Sequence, residues 1–134
     1  LGFDYNRVDF ISHKVDDIDI LSKINFLYDD AMASATVAIN AKAEGDLVIS
    51  GSKGYIYVPA PWWKTEFFEL RFEDVNLNQK YFYKFEGEGL RYEIVEFLKC
   101  IREDSESFLM SHQDMIEEVR VLNKFVSNTD VTVI

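Results

Sequence analysis

The chain has 134 residues, 48% of them apolar and 28% charged, with six Gly and two Pro. That suits one globular domain that buries roughly two thirds of its unfolded surface, and it excludes a disordered chain. Fourteen Lys and Arg stand against 24 Asp and Glu, a formal charge of -10, so a phosphate-neutralising nucleic-acid platform and an anionic membrane surface are both poor partners.

No apolar run approaches the ~18 residues of a membrane span, and no basic-then-apolar leader opens the chain. A lone Cys100 makes neither an internal disulfide nor a multi-cysteine zinc site. A reducing, cytoplasmic setting is the expectation. The first residue is Leu1, not Met. The start is therefore expected to be processed, or the chain to be a piece of something longer.

Apolar residues alternate with period two over about residues 5–86 and with helical period afterwards. Strands first and helices later read as α+β, with two helices packed on one face of a sheet. Residues 5–12 set Val8 and Phe10 against Arg7 and Asp9. Residues 19–28 put Ser22, Ile24, Phe26 and Tyr28 on one face, and Asp29-Asp30 turns the chain. Residues 32–40 carry Ala33, Ala35, Val37 and Ile39 on one face and Ser34, Thr36, Ala38 and Asn40 on the other. Residues 46–50 and 55–58 form a hairpin around Gly51-Ser52-Lys53-Gly54, stopped by Pro59 and Pro61. Phe68, Leu70 and Phe72 alternate with Glu69, Arg71 and Glu73. Tyr81, Tyr83 and Phe85 repeat that pattern after a polar turn at residues 76–79.

A first helix is expected over about residues 90–103, with Leu90, Ile94, Phe97, Leu98 and Ile101 as its apolar face. Gly87 and Gly89 free the backbone before it. A second helix is expected over about residues 112–127. Ser111 caps it, Asp114 closes the capping box, and Met115, Val119, Leu122 and Val126 form its stripe.

His13 and His112 read as surface residues, since neither has a second His or Cys at ligand spacing. Cys100 reads as a structural thiol, because a nucleophile needs a base that nothing nominates. Glu86, Glu88, Glu93, Asp16, Asp17, Asp19, Asp29 and Asp30 offer material for a carboxylate pair. Turns and solvated faces explain them more simply. Gly87-Glu88-Gly89 lacks the third glycine and the strand–helix–strand unit of a dinucleotide site, and its Glu repels phosphate. It reads as an entry turn.

The segment Pro59-Ala60-Pro61-Trp62-Trp63-Lys64 is the best candidate for ligand contact. Two adjacent indoles stack on a sugar or nucleobase, and Lys64 pins an anionic group. The plainer reading has one Trp capping a core edge and the other packing on a neighbour. Lys53 and Arg91, at turns, are further candidates for anionic groups of a substrate. An aromatic-rich second sheet face calls for cover by another domain or another copy of the chain.

Residues 45–59, Gly-Asp-Leu-Val-Ile-Ser-Gly-Ser-Lys-Gly-Tyr-Ile-Tyr-Val-Pro, resemble the segment i-x-G-T-x-G-x-i-x-v-P. Residues 87–97, from Gly87 to Phe97, resemble G-x-G-x-x-Y-E-x-x-x-F, and residues 106–111 resemble the connector E-S-x-x-m-s. In this order they resemble the C-terminal domain of the Gfo/Idh/MocA oxidoreductases, the family of glucose–fructose oxidoreductase and inositol dehydrogenase. The resemblance covers residues 46–125 well and residues 5–40 more loosely.

It implies a mostly antiparallel, open-faced sheet, as in the glyceraldehyde-3-phosphate-dehydrogenase-like C-terminal domain. It implies a single substrate-binding and oligomerisation domain over residues 1–134. An N-terminal Rossmann domain, absent from this chain, would hold NAD or NADP and carry a Glu-Lys-Pro lysine. The implied partners are that domain, a sugar or sugar derivative, and a second copy meeting the open sheet face. Departures are clear. No Rossmann glycines and no Glu-Lys-Pro occur, the family's catalytic His or Asp would precede Leu1, and Ser52 stands where the family shows Thr. Pro-Trp-Trp-Lys is not general to the family. No catalytic residue, no metal and no bound cofactor are expected in this chain alone. The alternative is a stand-alone dimeric interaction domain.

Overall fold

A computed structural model describes residues 2–134. Its elements are β1 (Arg7–Val15), β2 (Ile18–Leu27), β3 (Met32–Ala38), β4 (Leu47–Gly51), β5 (Gly54–Val58), β6 (Phe67–Phe72), β7 (Gln79–Phe82), α1 (Leu90–Glu103), α2 (His112–Val126) and β8 (Val131–Val133). The class is α+β. One open sheet was expected; the structure has two four-stranded sheets, in the orders β3-β2-β1-β8 and β4-β5-β6-β7. The described residues cluster into two compact units. Unit 1 is the chain up to Lys42 with Glu103–Ile134, and unit 2 is Ala43–Arg102.

In unit 1, β1 and β2 join through Asp16 and Asp17, both at positive φ. Two left-handed residues between paired strands match the twist of a tight hairpin, and Asp tolerates that conformation. Val8 pairs with Phe26 and Phe10 with Ile24, so the expected core face forms. Val8, Phe10 and Val121 are buried, with Tyr5, Ile24, Phe26, Phe125 and Val131 packed around them. Phe10 and Phe125 lie 5.3 Å apart between ring centroids. β8 was not expected from the sequence. Three residues are too few to show a period, and β8 pairs in parallel with β1 only after α2 returns the chain.

The Ser111 capping box of α2 is present, with Asp114 accepting from the Ser111 backbone N–H at 2.7 Å. The buried face of α2 differs from the expected one. Val121 is buried and Phe125 half-buried, whereas Met115, Val119, Leu122 and Val126 are exposed. The expected stripe lies about one residue, roughly 100°, round the helix from the face that meets β1. Phe125 and its contact with Phe10 decide which face wins.

In unit 2, β4, β5, β6 and β7 form an antiparallel meander. Gly54 is required where β5 meets β6, because a Cβ there would lie 2.5 Å from the Arg71 carbonyl oxygen. Strand pairing ends at Phe82, so Tyr83 and Phe85, expected in the strand, belong to the following loop. Only the Tyr83 N–H to Glu66 carbonyl bond, 2.6 Å, extends the ladder. Of the two helices expected on a sheet, α2 packs against β1 within unit 1. No residue of α1 is buried. Its five stripe residues are between 49% and 64% exposed. Among the described residues no helix is long and apolar enough to cross a membrane.

Candidate functional site

The Pro-Trp-Trp-Lys segment forms one turn of 3-10 helix, Trp62–Lys64, entered through Pro61 in extended conformation. Proline fixes the entry φ, and the short turn ends at Thr65. The Trp62 N–H donates to the Gly45 carbonyl at 2.9 Å, which ties the turn to the loop before β4. Gly45 sits at φ +75°, and a Cβ there would touch the Trp63 ring at 3.8 Å. The two indoles meet edge to face, 6.0 Å between centroids.

Below them opens a cavity of about 330 Å³, entirely within unit 2. Trp62 and Trp63 form one wall, and Phe67 and Phe68 at the start of β6 form another. Tyr83, Lys84 and Phe85 come from the loop after β7, and Tyr92 from the first turn of α1. Tyr92 is held in place twice. Its hydroxyl accepts from the Glu86 N–H at 2.8 Å, and its ring lies 5.3 Å from that of Phe85. Gly87, at φ +69°, gives the bend that returns the chain to α1. The Gly87-Glu88-Gly89 entry turn is as expected from the sequence.

Three cations and two carboxylates stand around this site. Lys64 Nζ lies 2.7 Å from Glu88 Oε1, and Lys84 Nζ lies 3.0 Å from Glu86 Oε1. Arg91 Nη1 is 4.0 Å from Glu86 Oε2 and donates to the Glu86 carbonyl at 3.3 Å. Each of these three cations is already engaged by a carboxylate. Such a rim offers hydrogen bonds to hydroxyls more readily than a free positive charge to an anion.

Of the residues nominated from sequence, Trp62 and Trp63 line the cavity. Lys64 and Arg91 adjoin residues that do. Lys53 does not; it lies on the β4–β5 turn, beside Gly51 and Gly54 on a different, shallow cleft. Thr65, Phe67, Phe68, Tyr83, Lys84, Phe85 and Tyr92 were not nominated. The signal available for them was the density of aromatics in residues 67–92, which strand alternation explained equally well.

A second constellation lies on the same sheet. Glu69 accepts from Arg71 Nε at 2.7 Å and stands 3.4 Å from Lys80 Nζ. The Arg71 hydrogen bond, then Lys80, holds the Glu69 carboxyl below its ordinary range, against partial desolvation. The Tyr55 hydroxyl and Glu69 together raise Arg71. Arg71 also lies 4.2 Å from the Tyr57 ring centroid, and Lys80 lies 3.4 Å from that of Phe67.

No His, Cys, Asp or Glu is among the described residues lining the aromatic cavity. His112 lies at the start of α2, its Nδ1 2.8 Å from a Glu106 carboxylate oxygen. Among the described residues no group of three or more His, Cys, Asp or Glu is placed to hold a metal. No family model matches the sequence, and no curated protein is significantly similar to it.

Proposed function

We propose that this chain is the substrate-binding and oligomerisation part of an NAD(P)-dependent oxidoreductase of the Gfo/Idh/MocA type, acting on a sugar or sugar derivative. The aromatic cavity under Trp62 and Trp63 supports the sugar-binding part of the reading, and the sequence resemblance supports the oxidoreductase part. Indole and phenol faces stack on the C–H faces of a sugar ring, while the paired charges of the rim meet its hydroxyls. With those charges already paired, the ring is a neutral sugar or polyol.

The nicotinamide cofactor does not fit this chain. The Gly87-Glu88-Gly89 turn opens a helix but lacks the third glycine, and Glu88 presents a negative charge where a pyrophosphate would sit. The chain's own residues bind and orient the substrate ring, and hydride transfer requires residues supplied by another domain.

Both Trp residues of the chain line the cavity, so intrinsic fluorescence reports on it directly. Titration with hexoses and inositols should give a saturable change, lost in Trp63→Ala. No saturable change with any of them sinks the sugar reading. Oxidation of NADPH by the purified 134 residues would sink the assignment of chemistry to another domain. In a longer enzyme, Trp62→Ala and Trp63→Ala should raise KM; unchanged kinetics with a lost oligomer would make the indoles an interface.

The exposed apolar stripe of α1 favours a second reading, a dimeric interaction domain without hydride chemistry in any longer form.

A further inference from the structure

We propose a second small-molecule site, in unit 1, that takes an aliphatic or monoaromatic alcohol. It is independent of the aromatic cavity and of the oxidoreductase reading. An open cleft of about 300 Å³ lies between α2 and the core-facing side of the first sheet, with Val37, Ile39 and Leu122 at its exposed rim. Phe10, Ile24, Val37, Val121, Leu122 and Phe125 make its walls apolar. That volume is at the low end of the range ligand sites span, so a single small ring or short chain fits.

One end of the cleft is polar. Asp19 and Ser22 both line it. Behind them Ser12 is fully buried, and its hydroxyl donates to Asp19 Oδ1 and lies 3.4 Å from Ser22 Oγ. Strict alternation along β2 would put Asp19 on the face opposite Ser22. The register of β1 and β2 shifts between His13 and Lys14, so Lys14 pairs with Asp19 and Ile20 is passed over. The bulge re-aims the carboxylate into the apolar cleft.

The charges select the head group. Lys14 Nζ lies 3.7 Å from Asp19 Oδ1, so the carboxylate already has a counter-ion. An ammonium head would meet Lys14. A carboxylate head would meet Asp19. An uncharged hydroxyl donates to the carboxylate and displaces neither. The Ser12 and Lys14 contacts fall on Oδ1, which leaves Oδ2 as the acceptor for the ligand.

The test uses the full chain with methyl-labelled Val and Leu, observed by NMR and titrated with 1-octanol, octanoate and octylammonium. The expected result is saturable shifts at Val37, Val121 and Leu122 for 1-octanol. Binding should be at least about tenfold tighter than for octanoate, as befits a hydrogen bond to a charged acceptor. Asp19→Asn removes the charge and, with the amide oxygen held by Ser12, turns an N–H toward the ligand oxygen, so it should keep 1-octanol binding and lose most of the discrimination against octanoate. Val37→Trp, at an exposed wall position, should abolish binding without touching the core. Absence of saturable shifts in the wild-type chain overturns the site. Undiminished binding in Val37→Trp overturns its location, and equal affinity for 1-octanol and octanoate in the wild type overturns the role of Asp19.

Discussion

Phe10→Ala should be among the most destabilising single changes in the chain. Phe10 is 1% exposed and packs against Phe125, Val8 and Val121 in a core with few fully buried side chains. A buried Phe removes about 150–250 Å² from water. At ~25 cal/mol per Å² that is ~4–6 kcal/mol, an upper bound because an unfolded chain already hides part of this area. Truncation also leaves a cavity, and measured Phe→Ala costs of ~3–5 kcal/mol set the expectation. Domains are stable by only ~5–15 kcal/mol, so the loss is a large share of the total. Ile11, the next residue, points to the opposite face and is 38% exposed, which makes Ile11→Ala the internal control. Urea denaturation followed by far-UV circular dichroism gives both values. Amide exchange then shows whether β1, β2 and α2 lose protection, as unit 1 requires. A Phe10→Ala cost below ~1 kcal/mol, or one matched by Ile11→Ala, would refute this account of the core.

Three further outcomes follow from local geometry. Gly54→Ala should cost at least ~1–3 kcal/mol, because the new methyl meets backbone at Arg71 and cannot be accommodated by a side-chain rotation; wild-type stability by the same denaturation would remove the strain argument. Asp114 has its folded pKa lowered by the Ser111 backbone and hydroxyl hydrogen bonds. Its contribution is therefore complete above the ordinary Asp value of ~3.9 and is lost as pH falls through the lower folded value. Asp114→Asn should flatten that part of the acid melting profile, and an unchanged profile would deny the capping box its charge. Glu69 follows the same sign, since Arg71 and Lys80 depress it. Glu69→Gln leaves those two cations facing each other, so its Tm should fall at neutral pH and recover with added salt; a salt-independent Tm would count against the triad.

The sequence exposed local order well and long-range order poorly. Val8 and Phe10 alternate with charged residues, and that alone predicts a core-facing strand. The Ser111–Asp114 box marks the start of α2 to the residue. What it hid depends on partners distant in the chain. The division into two sheets is set by which strand edges pair, and the period-two pattern is the same in either case. The α2 face was misjudged because two overlapping apolar stripes exist, and only contact with β1 ranks them. The bulge that turns Asp19 inward is a pairing event, invisible in alternation. The indoles of Trp62 and Trp63 were legible as a candidate site from their rarity. The rest of their cavity was not, because Phe67, Phe68 and Tyr92 read equally well as ordinary strand and helix residues.

The stripe on α1 distinguishes the two functional readings. Leu90, Ile94, Phe97, Leu98 and Ile101 are each about half exposed or more, on a helix with no buried residue. A contiguous apolar face of that kind marks an interaction surface or an aggregation liability. If it is the surface through which two copies meet, Leu98→Glu should abolish self-association in sedimentation velocity. It should leave the monomer's stability within ~0.5 kcal/mol, since Leu98 is 57% exposed on a helix with no buried residue. Sugar-dependent fluorescence from Trp62 and Trp63 should survive the same change. The sheet face carrying Tyr55, Tyr57, Arg71 and Phe82 is the competing surface, and Phe82→Glu probes it in the same assay. Loss of association in Phe82→Glu but not in Leu98→Glu moves the interface to the open sheet, as the family resemblance implies. A chain that stays monomeric at its highest soluble concentration removes the interaction-domain reading and leaves the aromatic cavity as the feature that function must explain.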